Sequence, residues 1–151
     1  MSFKSGTASI NSGTLSDGSY QTSTQLPVGT TPVQAVYSGD PNFNSSISPV
    51  VNDVVTKTPW NISLSSSANP AASGKAVTFT ANVGDFNGYI SGTVTFYNGT
   101  TRIGTATLSY GVAPFTTSSL PVGTDSITAT YPGNANIDPC TSNVVQQVVN
   151  K

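Results

Sequence analysis

Residues Leu120–Lys151 read LPVGTDSITATYPGNANIDPCTSNVVQQVVNK, and residues Leu26–Lys57 read LPVGTTPVQAVYSGDPNFNSSISPVVNDVVTK. The two stretches align without a gap at an offset of about 94 residues, and about half of their positions are identical. A repeat of this length makes the chain a tandem array, so one folding unit has to be read twice. The repeat divides the chain into residues 1–57, an incomplete unit, and residues 58–151, a complete one.

The complete unit resolves into short strands. Trp60 to Leu64 alternates apolar and polar residues, and the turn-rich SSSANPAASG follows. Lys75 to Val83 then sets Val77, Phe79, Ala81 and Val83 on one face, with Ala76, Thr78, Thr80 and Asn82 on the other. In Ser91 to Tyr97, Val94 and Phe96 point inward. Asn98-Gly99 predicts a type I′ hairpin, because both residues tolerate positive φ. Arg102 to Leu108 returns, Tyr110-Gly111 turns the chain again, and Val112 to Ser118 puts Ala113, Phe115 and Thr117 on one face. LPVGT rounds a corner into Asp125 to Tyr131, whose inward residues are Ile127, Ala129 and Tyr131, and Val144 to Val149 closes the unit. About seven short strands with no helical period predict an all-β chain of antiparallel sandwiches. The closing stretch VVQQVV, matched by VVNDVV at Val50 to Val55, does not alternate; a bulge or a strand apolar on both faces would explain it.

The incomplete unit can be followed from the third strand onward: Met1 to Lys4, the turn Ser5-Gly6, Thr7 to Leu15, Ser19 to Gln25, Pro32 to Tyr37, and Ile47 to Thr56. Val33, Ala35 and Tyr37 repeat the inward triplet. Equivalents of the first two strands, including the Val-Phe-Ala-Val face, are missing. Each large apolar side chain left in water forgoes roughly 1.5–3 kcal/mol, and unpaired strand edges invite a docking strand. This unit is therefore expected to be completed, either by preceding sequence or by strands of another chain through β-augmentation. The linker Thr56-Lys57-Thr58-Pro59 is short and stiffened by proline, which predicts a semi-rigid rod.

Composition narrows the chemistry. At 36% hydrophobic and 7% charged, the polar surface is made of Ser, Thr, Asn and Gln. A formal net charge of −1, with basic residues scattered from Lys4 to Lys151, leaves no basic patch for nucleic acid. All the acids are Asp, and there is no His, so general acid-base catalysis has no recognisable constellation. The expectation is no enzyme and no cofactor. The single Cys140 excludes an intradomain disulfide; Ser46 holds its place in the first repeat, which favours a small-residue replacement over an intermolecular bridge or a reactive thiol. MSFKSGTASI contains no apolar signal core, and no run nears the ~18 apolar residues of a membrane helix. The expectation is a piece of a longer exported polypeptide, or a component such as a virion protein.

The residues GTVTFYNGTTRIGTATLSYGVAPFTTSSLPVGTDSITATYPGNANI resemble the bacterial Ig-like repeats of group 3, in which a GTVTFY strand, a GTATL strand, an LPVG corner and an ITATYxGxxNF segment recur in this order. The resemblance covers nearly all of the second unit and the C-terminal part of the first. Ile137 replaces the usual Phe, which Phe43 keeps. The resemblance implies tandem immunoglobulin-like sandwiches in a repetitive surface-attached or secreted bacterial protein, or in a phage structural protein, with no catalytic residues to carry over.

Two sets of residues are candidate sites. Asp40, Asn42 and Asn44, repeated as Asn134, Asn136 and Asp138, place oxygens at alternate positions, as in the first half of a calcium loop, but lack that motif's glycine and distal Glu; turn capping uses the same residues. The outward aromatics Trp60, Tyr89, Tyr97 and Tyr110, with Phe86, could stack on a sugar or meet a protein, while Trp60 after the linker suits packing at the junction. Asn44, Asn61 and Asn98 begin Asn-X-Ser/Thr sequons, and Lys75 and Asn82 face outward, which disfavours an isopeptide crosslink. The functional expectation is an extracellular spacer or adhesion module of a bacterial surface protein or filament, with neighbouring repeats or other copies as partners. The alternatives are a phage decoration or fibre domain, and a carbohydrate-binding accessory domain.

Overall fold

The structure, a computed structural model, describes residues 1–84 and 90–151. Tyr89 and Phe86 lie outside the described residues. Every regular element among those described is a β-strand. The chain falls into two compact units, Met1–Thr56 and Lys57–Lys151.

The first unit contains β1 (Ser2–Ser5), β2 (Ala8–Ser12), β3 (Gly29–Tyr37), β4 (Ser46–Ile47) and β5 (Val51–Val55). They form one sheet in the order β2-β1-β3-β4, with β5 also on β3. The stretch read as a strand at Ser19 to Gln25 forms none; its only ladder contact is a bridge between Ser16 and Ser19 across a tight turn. The reason is a missing partner. Its counterpart in the second unit, around Val112–Thr117, pairs with the strand at Val77–Val83, for which residues 1–56 hold no equivalent. With no second layer, no residue of this unit is fully buried.

The second unit contains β6 (Ile62–Ser66), β7 (Ala71–Ala72), β8 (Val77–Val83), β9 (Thr93–Asn98), β10 (Thr101–Thr107), β11 (Val112–Thr117), β12 (Gly123–Tyr131), β13 (Cys140–Thr141) and β14 (Val145–Asn150). One sheet runs β10-β9-β12-β14-β7, with β13 on β12, and the other runs β11-β8-β6. The two-residue period of β8 and β12 decides what lies between them. Val77, Phe79, Ala81 and Val83 from one sheet meet Val94, Phe96, Ile127, Ala129 and Tyr131 from the other, each at most 2% exposed. Phe96 stacks on Phe115 with ring centres 5.1 Å apart.

Several local expectations are corrected. The first strand begins at Ile62 rather than Trp60, and SSSANPAASG is more than a turn. After β6 the chain crosses, through a cis Asn69–Pro70 bond, to the other sheet, where β7 lies parallel to β14. The hairpin turn centres on Gly99 and Thr100, because Asn98 already pairs with Thr101. Only Gly99 of these two has positive φ, 55°, the pattern of a type II′ turn. Asn98 is engaged elsewhere: its amide donates to Asp125 Oδ1 at 2.6 Å. Tyr110-Gly111 forms the expected turn, with φ of 50° and 76°, and Asp17-Gly18 repeats it with 50° and 77°.

VVQQVV needs neither a bulge nor two apolar faces. β14 alternates normally, with Val145, Gln147 and Val149 inward, and the break in the pattern is Gln147 itself, 0% exposed. A buried amide is tolerable only when its hydrogen bonds are made. Ser66 donates to its Oε1 at 2.6 Å, and its Nε2 donates to Ala68 O at 2.9 Å and Val148 O at 3.1 Å. The amide thus ties β14 to the segment that leaves one sheet for the other. In the first unit the last strand is likewise interrupted, into β4 and β5, where Ile47 to Thr56 reads as one.

Phe79→Ala is expected to destabilise the second unit by about 3–5 kcal/mol in denaturant melts, since it empties a fully enclosed site. Phe3→Ala, at the half-buried counterpart of Phe96, should cost the first unit clearly less. Equal losses would show that the first sheet is covered after all.

Candidate functional site

The first unit presents the surface that the second unit hides. The face of β1 and β3 that should carry a second layer borders a cleft of about 310 Å³. Phe3, Ile10, Leu26 and Val33 line it with Thr22, Ser23, Thr24 and Asp53. Phe3 stacks on Tyr20 at 5.8 Å, as Phe96 does on Phe115, so the inner side of this layer is partly organised. Positions equivalent across the repeat measure what is uncovered. Phe43 is 69% exposed and Ile137 is 7%; Val51 is 66% exposed while Val145 is half-buried. Ile137 is screened from the side by the entry segment, where Thr58 N–H donates to Asn136 O at 2.9 Å and Asp138 N–H donates to Thr58 O at 3.2 Å.

The alternating Asn and Asp residues sit in two matching turns. Asp40 accepts the backbone N–H groups of Asn42 at 2.8 Å and Phe43 at 2.9 Å, and the Tyr37 hydroxyl donates to it at 2.5 Å. That hydroxyl, followed by the Asn42 N–H, holds the Asp40 carboxyl below the usual carboxylate range, and the same bond pushes the Tyr37 phenol up. Asn134 Oδ1 accepts the N–H groups of Asn136 at 2.8 Å and Ile137 at 3.0 Å. The first side chain of each turn is thus spent on its own backbone, the geometry of an Asx turn. Asn42, Asn44 and Asn136 are exposed, and Asp138 is half-buried. Among the described residues no group of three or more His, Cys, Asp or Glu could hold a metal ion.

The aromatic candidates are carried by different elements. Trp60 is half-buried, packs against the core of the second unit, and borders a shallow cleft with Pro59, Asn82 and Gly84. Tyr97 is half-buried on β9, while Tyr110 is 74% exposed at the β10–β11 turn. Tyr89 is outside the described residues. Cys140 is half-buried on β13 against the core, and loss of water around it pushes the thiol pKa up.

Reading by residue type misses three polar groups. Gln147 is one, and Asp53 in its repeat position is another. The third is Asp125, 6% exposed, which receives the Asn98 amide on Oδ1 while Oδ2 makes no hydrogen bond among the described residues. The broken alternation of VVQQVV and VVNDVV was the only signal for the first two, and an isolated Asp at a strand start gave none for the third.

Two facing antiparallel sheets with a crossing first strand define the second unit as an immunoglobulin-like sandwich, and the first repeats its larger sheet. The model of the bacterial Ig-like domain, group 3, matches residues 1–56 and 64–150, and the chain belongs to that family. No curated protein sequence matches the chain. Among solved structures it is similar to fibronectin(III)-like modules of Clostridium thermocellum CbhA, at 19% identity and a TM-score of 0.40, over 97% of this chain and 77% of that one.

Asn134→Ala is expected to lower the stability of the second unit by about 1 kcal/mol in thermal melts, because two turn N–H groups lose their acceptor. For Cys140, whose pKa is raised, iodoacetamide should react more slowly at pH 8 than with a free thiol, and its rate should rise at higher pH than the free thiol's does. A rate at or above that of the free thiol would refute the half-buried, protonated state.

Proposed function

We propose that this chain is a non-enzymatic structural module, a tandem Ig-like spacer of a bacterial surface protein or surface filament, in which strands supplied from outside residues 1–56 complete the first unit. The single observation that carries this reading is the contrast between the repeats. One copy of the unit is closed over an apolar interior, and the other offers the same interior face and an uncovered β5 edge for docking. Family membership supports a spacer role. So does a polar surface built from hydroxyls and amides rather than from ionisable groups that could run chemistry. The closed unit is held by packing and by backbone ladders, without a disulfide, which suits a module whose task is to hold its shape.

An antibody raised against residues 58–151 tests the location. It should label intact bacteria that make the full-length protein, and protease treatment of those cells should remove the label. Labelling only after lysis would overturn the surface assignment, and labelling of purified phage particles would replace it with a virion role.

A further inference from the structure

We propose that the open face and edge of residues 1–56 seat an Ig-like strand pair that carries a lysine or arginine where β6 carries Ser66, and that Asp53 selects for that residue. The proposal rests on the strand-completion reading above and adds what the completing strands must be.

The second unit serves as the template. There β6, the crossing and β7 lie against β14 through three side-chain amides. Asn143 reaches Leu64 both ways, accepting its N–H at 2.9 Å and donating to its carbonyl at 3.1 Å. Asn69 donates to Gln146 O at 2.7 Å and accepts Val148 N–H at 2.9 Å. Gln147 accepts the Ser66 hydroxyl and donates to Ala68 O. In the first unit β5 pairs with β3 in the register that β14 keeps with β12, Asp53 facing Thr31 as Gln147 faces Asp125. The receiving surface is therefore built alike, and only its side chains differ.

Two of those differences fall on the ties to β6. Pro49 stands where Asn143 stands and has no amide with which to hold a strand's backbone. Asp53 stands where Gln147 stands and has acceptors only. A strand pair identical to β6–β8 would place its Ala68 carbonyl against a carboxylate, with no proton between them and with water excluded as the layer closes. Burying a charge so is unfavourable unless it is paired. The cleft is otherwise apolar and hydroxyl-lined, and Asp53 is the charged residue on its wall. A cationic side chain at the Ser66 position, which in the second unit points at residue 147, would meet that carboxylate directly. The matched partner keeps the apolar alternation of Ile62, Leu64, Val77, Phe79 and Ala81 for Phe3, Ile10, Leu26 and Val33, and adds one positive charge. A second copy of this chain, with Ser66, lacks it.

The test titrates the full 151-residue chain and its Asp53→Gln variant with two synthetic peptides. One has the sequence of residues 60–84; the other is the same with Ser66→Lys. The unaltered chain should bind the lysine peptide about tenfold more tightly than the parent peptide, a difference typical of one charge pair in a partly closed site. Asp53→Gln should reverse that order. Equal affinities in all four pairings would overturn the selection by Asp53 and leave strand completion standing. Absence of binding in all four would overturn both. Self-association of the unaltered chain that the parent peptide competes away would also overturn the proposal, by making a second copy the occupant.

Discussion

A β-sheet with one apolar face needs a second layer, and everything else in this chain depends on whether that layer is present. β9, β12 and β14 have it, from β8, β6 and β11, and their inward side chains are sealed. β1 and β3 have nearly the same inward residues, but over them lies only the unpaired segment that carries Tyr20 and Leu26, with no second sheet. Val33, Ala35 and Tyr37 occupy the positions of Ile127, Ala129 and Tyr131, yet remain half-buried where the latter are at most 1% exposed. The difference is not one of local propensity, because the two copies form matching strands. It comes from burial, which needs atoms on both sides.

The second layer also has to be held in register, and hydrophobic packing alone is non-directional. In the closed unit that task falls to amides. Asn143 and Asn69 use a side chain as a substitute for a ladder partner where the backbone ladders end at the crossing, and Gln147 does so from inside the core. Asn143 and Asn69 are exposed, but a buried amide such as Gln147 is costly if half-satisfied, so it discriminates between a correctly and an incorrectly placed strand. Gln147 therefore sets where the crossing segment can lie, while Val77, Phe79 and Phe96 supply the cohesion.

The layers and the inward faces were legible in the sequence, because a two-residue period in Val77 to Val83 or Ile127 to Tyr131 reports directly on one-sided burial. What stayed illegible depends on partners distant in the chain. Ser19 to Gln25 has strand-like composition, but a strand exists only as part of a ladder, and its neighbour is absent. β7 is two residues long and owes its existence to the edge of β14. Asn98-Gly99 has the composition of a type I′ turn, and the amide of Asn98 is drawn instead to Asp125, 27 positions on. The candidate site was legible as a missing face but not in its chemistry, since Asp53 acquires meaning only when set against Gln147.

The paired turns after β3 and β12 show how closely such single replacements follow the missing layer. In the second unit the Tyr131 hydroxyl donates to Ser91 O at 3.0 Å, and the Asn134 amide donates to that hydroxyl at 3.3 Å, so the phenol spends its proton on the chain entering β9. Residues 1–56 contain no counterpart of Ser91, and Tyr37 gives its proton to Asp40 instead. An aspartate accepts that proton where an asparagine amide would compete to donate. Asp40, Pro49 and Asp53 are thus departures from the repeat at the places where the second unit touches the chain entering β9 or its covering strands.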